Sequence, residues 1–264
     1  LLVGDGNTGK TQIRELTMNL LGRNHCVSID MKKINERFGA VQLYRKRLAG
    51  SGDMSTVEIA EMNVIKNLTG GDSLFAEYKG KDGFSFRYDG FLWFNANELP
   101  HFRGDRGKHV YERFAIILCE NIIPKHLRDP QLLDKMMTEK DIIASVAVDK
   151  FKLAVDRGYK FSVSAEMQQN VDNYRIENNS LLMFIKDCCI ISKDNCGIKR
   201  SDFNSLYKKW CSNNRVLPER DRDIGKQLKE LLQIEARKTG GYYYYPIEIK
   251  EEILLFTPFI ASFK

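Results

Sequence analysis

Apolar and polar positions along this chain fall into blocks that predict alternating strands and helices. Leu1-Leu2-Val3 is an apolar stub that reads as the end of a buried strand. Ile13, Leu16 and Leu20 then recur at helical spacing, with Gly22 placed to close the helix. Residues 25–30 read as a short strand ending in Asp30, and residues 47–54 as a weaker one, interrupted by Gly50 and Gly52 and ending near Asp53. Glycine inside a strand points to close backbone approach. Val57, Ala60, Val64 and Leu68 share one helical face over residues 56–68, before Thr69-Gly70-Gly71-Asp72. Residues 73–88 read as a hairpin with a basic tip, Lys79-Gly80-Lys81-Asp82-Gly83. Phe91-Leu92-Trp93-Phe94 is a buried strand running into Asn95-Ala96-Asn97, and Arg113 stands at the mouth of another apolar strand over residues 114–118.

The remaining half is predominantly helical. Residues 124–130 read as a connection. Residues 131–137, 141–156 and 165–174 read as helices of a lid packed beside the preceding domain. An apolar helix is predicted over residues 181–191. Ser201-Asp202 can cap the next, whose face is Phe203, Leu206, Tyr207 and Trp210. Residues 222–232 follow with Ile224, Leu228, Leu231 and Leu232 inward and Lys226 and Lys229 outward. A two-stranded hairpin then turns at residues 238–241 and ends on Tyr242 to Tyr245. Three helices and a hairpin make a winged-helix pattern, in which the last helix would enter a groove and Arg237, Lys238 and Tyr242 would form the wing.

One motif carries specific chemistry. Gly4-Asp5-Gly6-Asn7-Thr8-Gly9-Lys10-Thr11 fits G-x-x-x-x-G-K-[ST] in full, between a strand and a helix. Glycines let backbone N–H groups turn inward around phosphates, and the helix N-terminus adds the positive end of its dipole. Lys10 can reach the terminal phosphates, and the Thr11 hydroxyl can ligate Mg²⁺. The pattern therefore predicts nucleoside-triphosphate binding. A metal acid is needed as well: Asp53 is the preferred candidate, on a strand expected beside the loop strand, and Asp30 is the other.

Taken in order, these segments resemble the superfamily III helicase domain of phage- and plasmid-type primase–helicases, related to the poxvirus primase–helicase. Leu68-Thr69-Gly70-Gly71-Asp72 and Asn97-Glu98-Leu99-Pro100 are its most telling residues, and the likeness runs from residue 1 to about residue 120. It implies an α/β fold: an AAA+-like P-loop NTPase core with a parallel sheet over residues 1–123, a helical lid or linker over 124–178, and a winged-helix DNA-binding domain over 179–264. It implies an ATP- and Mg-dependent DNA helicase, cytoplasmic in a bacterial host, working as a hexameric ring on single-stranded or forked DNA. In that scheme Lys10 and Thr11 hold phosphate and Mg²⁺, and Asp53 is the Walker B acid. Asn97 positions the attacking water, Arg113 is an arginine finger in a neighbouring subunit's site, and Lys79 and Lys81 grip DNA. Arg222, Lys226, Lys229, Arg237 and Lys238 form the tail's DNA surface. The family's Walker B strand is usually more apolar and often ends in Glu or paired acids, whereas Gly-Ser-Gly precedes a lone Asp53 here. A chain that opens on a strand end is expected to have further sequence upstream, with a primase module among the candidates.

Each residue also has a plainer reading. Asn97 suits a turn cap before Pro100, Arg113 a surface ion pair, and Lys79 and Lys81 a solvated turn. The tail cations suit a solvated face. Composition limits the alternatives further. With 43% apolar and 29% charged residues, the chain is neither disordered nor low in complexity. No apolar run approaches the ~18 residues of a spanning helix, so no membrane partner is expected. Residues 198–238 hold eleven basic against six acidic residues, +5 of the chain's net +6, which suits a polyanionic partner. Six cysteines form no CxxC pair. Buried reduced thiols are the expectation, with a zinc site from Cys188, Cys189, Cys196 and Cys211 as the alternative. Two rivals to the motor remain: a nucleotide-dependent DNA-binding switch or initiator that does not unwind, and a small-molecule kinase, which the basic tail disfavours.

Overall fold

A computed structural model of the protein describes residues 1–54, 62–102, 107–160, 162–192 and 197–250. The architecture is mixed α/β, with short parallel ladders and helices, and the chain divides into two units, Leu1–Asp172 and Asn173–Lys264. The division falls inside the segment 124–178 expected to form a lid.

In the first unit the elements are β1 (Leu2–Val3), α1 (Lys10–Leu21), β2 (Cys26–Ser28), α2 (Met31–Ile34), β3 (Leu48–Gly50), α3 (Asn63–Gly70), β4 (Ser73–Ala76), β5 (Phe84–Arg87), β6 (Phe91–Leu92), β7 (Asn95–Ala96), α4 (Lys108–Tyr111), β8 (Ile117–Leu118), α5 (Leu132–Thr138) and α6 (Lys140–Asp156). Helix α7 (Ala165–Glu177) carries the chain across the division.

Two parallel ladders, β2-β3-β6 and β7-β1-β8, run into one another. Beyond β6 the chain keeps its pairing with the β3 side: Trp93 N–H donates to Ala49 O, Asn95 N–H to Ser51 O, and Met54 N–H to Asn95 O. Met54 also bridges Ala96 in parallel. The strands thus follow the order β2, β3, β6/β7, β1, β8. The loop strand β1 lies beside the Asn97 strand, and the Asp53 strand is one place further out. This corrects the expectation that the Asp53 strand adjoins the loop strand. Leu2, Val3, Leu48 and Ala49 are buried, as fits parallel strands covered on both faces. Ile117 and Leu118, on the edge strand β8, are exposed.

Gly50 shows why this strand carries glycine. Its φ is +146°, and a Cβ there would lie 1.7 Å from Trp93 O. No side chain fits between the two strands.

Helix α1 also departs from its apolar pattern. Ile13 is exposed, and the inward residues are Lys10, Arg14 and Met18. The i, i+4, i+8 face is chosen by what its cations reach, described below. Gly22, with φ 85°, closes the helix through its N–H to Asn19 O, as the pattern predicts. Of the expected helix over residues 56–68, the first half, with Val57 and Ala60, lies outside the described residues. The described part, α3, buries Ile65 and Leu68 and ends on Gly71 (φ 75°). Strands β4 and β5 form the expected hairpin, anchored by Tyr44 edge-on to Phe84 and Phe86 at 4.8 and 5.4 Å. Lys79 and Lys81 are exposed at its tip. Helix α5 packs on α1, but α6 buries none of its 17 residues. Its apolar residues, including Ile142, Val146, Phe151 and Leu153, are spread around the axis and stand exposed, unlike the packed helix expected.

The second unit comprises α8 (Ser180–Cys188), β9 (Cys189–Ile191), β10 (Ile198–Lys199), α9 (Arg200–Asn213), α10 (Asp221–Leu232), β11 (Arg237–Thr239), β12 (Tyr242–Tyr245) and β13 (Ile247–Ile249). The helix expected over residues 181–191 stops at Cys188. Cys189-Ile190-Ile191 leave it to pair antiparallel with β13, as β-branched residues favour. The hairpin β11-β12 gains a third strand, β10. Asn179 caps α8, its Oδ1 accepting from Leu181 and Leu182 N–H at 2.9 and 3.1 Å. Ser201-Asp202 does not cap α9, which begins at Arg200 with no side-chain cap. Asp202 instead adds charge to its first turn. Leu181, Phe184, Phe203, Tyr207, Ile224, Leu228 and Tyr245 form the core. Burial pushes the Cys188 thiol to about 11 and the Cys189 thiol to about 12. Cys196 lies outside the described residues. No described helix is long and apolar enough to cross a membrane.

Candidate functional site

Parallel strands all end at the same edge of their sheet, so the residues just after each strand are brought together there. After β1 comes the loop of residues 4–9, after β3 comes Gly52-Asp53, and after β7 comes Asn97. All three line one cleft of about 450 Å³, within the roughly 300–1,000 Å³ of small-molecule sites.

The loop has the backbone a side chain would forbid. Gly4 has φ 147°, and a Cβ there would stand 2.2 Å from Cys119 O; Gly9, with φ 87°, begins α1. Lys10 is only 7% exposed. Its Nζ donates to Gly4 O at 2.6 Å, Asp5 O at 2.7 Å and Thr8 Oγ1 at 3.1 Å. No carboxylate among the described residues pairs with it. A buried ammonium held by neutral carbonyls keeps most of its charge for an incoming anion. The first turn of α1 contains no acid, so the dipole's positive end stays uncompensated. Thr11 and Asp53 face the same cleft and are exposed. A hydroxyl and a carboxylate beside bound phosphate are the hard oxygen donors Mg²⁺ prefers.

Arg113 lies elsewhere. Its Nη1 donates to Lys66 O at 3.2 Å and Thr69 Oγ1 at 2.9 Å, at the C-terminal end of α3. That bond ties Arg113 to the Leu68-Thr69-Gly70-Gly71-Asp72 segment and leaves it outside the cleft lining. Lys79 and Lys81 do not line it either, and Lys81 Nζ stands 5.7 Å from the Tyr78 ring centroid.

Two features escaped the sequence pattern. The first is Arg14, 2% exposed, whose Nη2 donates to Gly50 O at 2.8 Å and to Ser28 Oγ at 3.4 Å. It pins α1, and so Lys10 and Thr11, to the strand that ends at Asp53. Burial lowers the guanidinium below its ordinary value, with Glu15 acting the other way. A buried charge inside an apolar helical period was the available signal. The second is the cleft's far wall, Ile123, Leu127, Arg128, Asp129 and Leu132, of which Leu127, Arg128 and Asp129 fall in the stretch 124–130 read from sequence as a connection. Ile123 N–H donates to Asn7 O at 2.9 Å, fastening this wall to the loop. Apolar side chains at Ile123, Leu127 and Leu132, within and on either side of the supposed connection, were its signal.

In the second unit, the basic residues of α10 are exposed but paired. Lys229 Nζ meets Glu235 at 2.8 Å, Lys226 meets Glu230 at 3.8 Å, and Arg222 meets Asp223 at 3.7 Å. Pairing raises the Lys229 pKa and lowers that of Glu235. The register of β11 against β12 places Arg237 opposite Tyr244 and Lys238 opposite Tyr243, so these two cations face opposite sides of the sheet.

Residues 2–113 match the model of a family of unknown function, DUF5906. Two solved structures of the C-terminal region of NrS-1, both described as the A form without ligand and one spanning its residues 305–718, are each 13% identical and cover 92% of this chain, with TM-scores of 0.45 and 0.42. The chain spans 64% of the length of either. At that level of likeness the chemistry rests on the cleft itself.

Proposed function

We propose that the chain is the nucleotide-driven part of a replication helicase of the phage or plasmid superfamily III type: a P-loop, AAA+-like core that binds ATP with Mg²⁺, and a winged-helix tail that contacts DNA. One observation carries this reading. Lys10, Thr11, Asp53 and Asn97, far apart in sequence, line a single cleft at the C-terminal edge of a parallel sheet. The strand order, with β1 between β7 and β8, supports it.

Phosphoryl transfer needs placed charge more than covalent chemistry. Lys10 exchanges its loop carbonyls for phosphate oxygens, and the loop N–H groups and the α1 N-terminus hold the same anion. Thr11 and Asp53 would hold the Mg²⁺, which when bound neutralises charge developing between the terminal phosphates. Asn97 orients water at the γ-phosphate. Arg113 would complete a neighbouring subunit's site within a ring of copies of this chain. Lys79 and Lys81 offer exposed charge to DNA phosphates.

Arg113's bonds to α3 within its own chain favour keeping a second reading, a nucleotide-dependent DNA-binding switch that does not unwind. The test is ATP hydrolysis with and without DNA, alongside displacement of a labelled strand from a fork. The motor requires DNA-stimulated hydrolysis with displacement, and nucleotide-dependent DNA binding without displacement selects the switch. Hydrolysis unaffected by Lys10→Ala would sink both.

A further inference from the structure

The geometry points to the outer face of the β10-β12-β11 sheet, rather than helix α10, as a platform on which single-stranded DNA stacks its bases. That DNA is the partner rests on the preceding reading; the choice of surface and of strand form does not.

Residues directly opposite on paired strands share a face. The register pairs Ile198 with Tyr245, Lys199 with Tyr244, Arg237 with Tyr244, Lys238 with Tyr243 and Thr239 with Tyr242. One face therefore holds Tyr243, Tyr245, Ile198 and Lys238. At one end this face is inward, since Tyr245 is 1% exposed and Ile198 packs on the core, whereas at the other end Tyr243 is 48% exposed with Lys238 Nζ 5.9 Å from its ring centroid. The other face holds Tyr242, Tyr244, Lys199, Arg237 and Thr239. There Tyr242 is 54% exposed. Lys199 Nζ stands 3.5 Å from the Tyr242 ring centroid, a cation–π contact that fixes the ring and brings positive charge to it. Arg237, Thr239, Tyr244, Gly197 and Pro246 border a groove of about 510 Å³, which Lys238 and Tyr245 of the other face also line.

The three strands contain no Asp or Glu. Two tyrosines, a lysine and an arginine on one sheet face match a polyanion that also carries flat rings. Aromatic side chains offer stacking faces to unpaired bases, and cations track the backbone between them. A duplex hides its base faces, so the same surface gains little from it. On helix α10 the cations each lie within ion-pair distance of an acid of α10 or of the segment just after it. Hence Arg222, Lys226 and Lys229 add little, and Lys238 belongs to the reverse face.

The test is fluorescence anisotropy of a labelled oligo-dT with the full chain, without nucleotide, over a salt series. Tyr242→Ala is expected to weaken binding about tenfold, within the range of losing one stacked base. Tyr242→Phe should keep wild-type affinity, and Arg237→Gln should reduce the salt slope by about one. Tyr243→Ala, on the reverse face, should change affinity less than twofold. Photocrosslinking of a 5-iododeoxyuridine oligonucleotide to the wild-type chain should label the Tyr242–Tyr245 peptide, a readout that needs no variant to fold. Equal losses from Tyr242→Ala and Tyr243→Ala, tighter binding of duplex or of oligo-U, or crosslinks confined to α10 would each overturn the proposal. Lys10→Ala should bind oligo-dT normally. Loss of nucleotide binding and loss of this platform are therefore separable results.

Discussion

Lys10 in α1 and Lys226 in α10 are both lysines on helices with one buried face, yet their charges are used in opposite ways. Lys10 is buried, held by three neutral oxygens, and faced by no described carboxylate. Lys226 is exposed and sits 3.8 Å from Glu230, one turn along. The first arrangement stores a desolvated charge that gains much from an anion. The second is already compensated and screened, and exposed pairs of this kind are worth at most about 1 kcal/mol. A count of basic residues treats the two regions alike, whereas their surroundings decide which one binds.

That contrast can be broken in several places. The largest effect is expected from Gly50→Ala, which removes the geometry on which the cleft rests. A Cβ 1.7 Å from Trp93 O at φ +146° should lower stability by about 3 kcal/mol or more, read as the chemical-denaturation midpoint. A wild-type midpoint would mean the β3–β6 approach is looser than described. Lys10→Ala should weaken Mg·ATP binding on the order of 100-fold, the scale of losing hydrogen bonds to a charged group. Asp53→Asn should leave ATP binding within a few-fold and lower the hydrolysis rate about 100-fold. If Asp30→Asn had that effect instead, the metal acid would be the other candidate. The smallest change is expected from replacing Arg222, Lys226 and Lys229 together by Gln, which should alter DNA affinity less than about twofold. A tenfold loss there would restore α10 as the DNA-reading helix and erase the contrast.

The legible and illegible parts of this chain divide on physical lines. The strand–loop–helix at residues 2–21, the hairpin at β4-β5 and the helix closures at Gly22 and Gly71 are local. They follow from glycine conformations and short-range periodicity. That Lys10, Thr11, Asp53 and Asn97 come together in one cleft was readable because each lies just beyond a strand, and parallel strands end together. Arg14 was not, because an arginine within Ile13, Leu16 and Leu20 looks like a break in the apolar face. Only the carbonyl of Gly50, 36 residues on, explains its burial. The far wall at Ile123, Leu127 and Leu132 is contributed by sequence distance in the same way. Helix α8's early end at Cys188 depends on β13, some 60 residues later, which no local window contains. Arg237 and Lys238 are neighbours in sequence and opposites in space, a separation set by strand register alone.

In the proposed function the cleft holds a triphosphate through Lys10 and a metal through Thr11 and Asp53. Calorimetric titration of the full chain with ATP, with and without Mg²⁺, tests it most directly. One saturable site is expected, tighter with Mg²⁺ than without it. That Mg²⁺ dependence should be lost in Asp53→Asn, and the site itself in Lys10→Ala. Binding of equal strength in wild type and Lys10→Ala, or no binding in a folded wild-type chain, would contradict it.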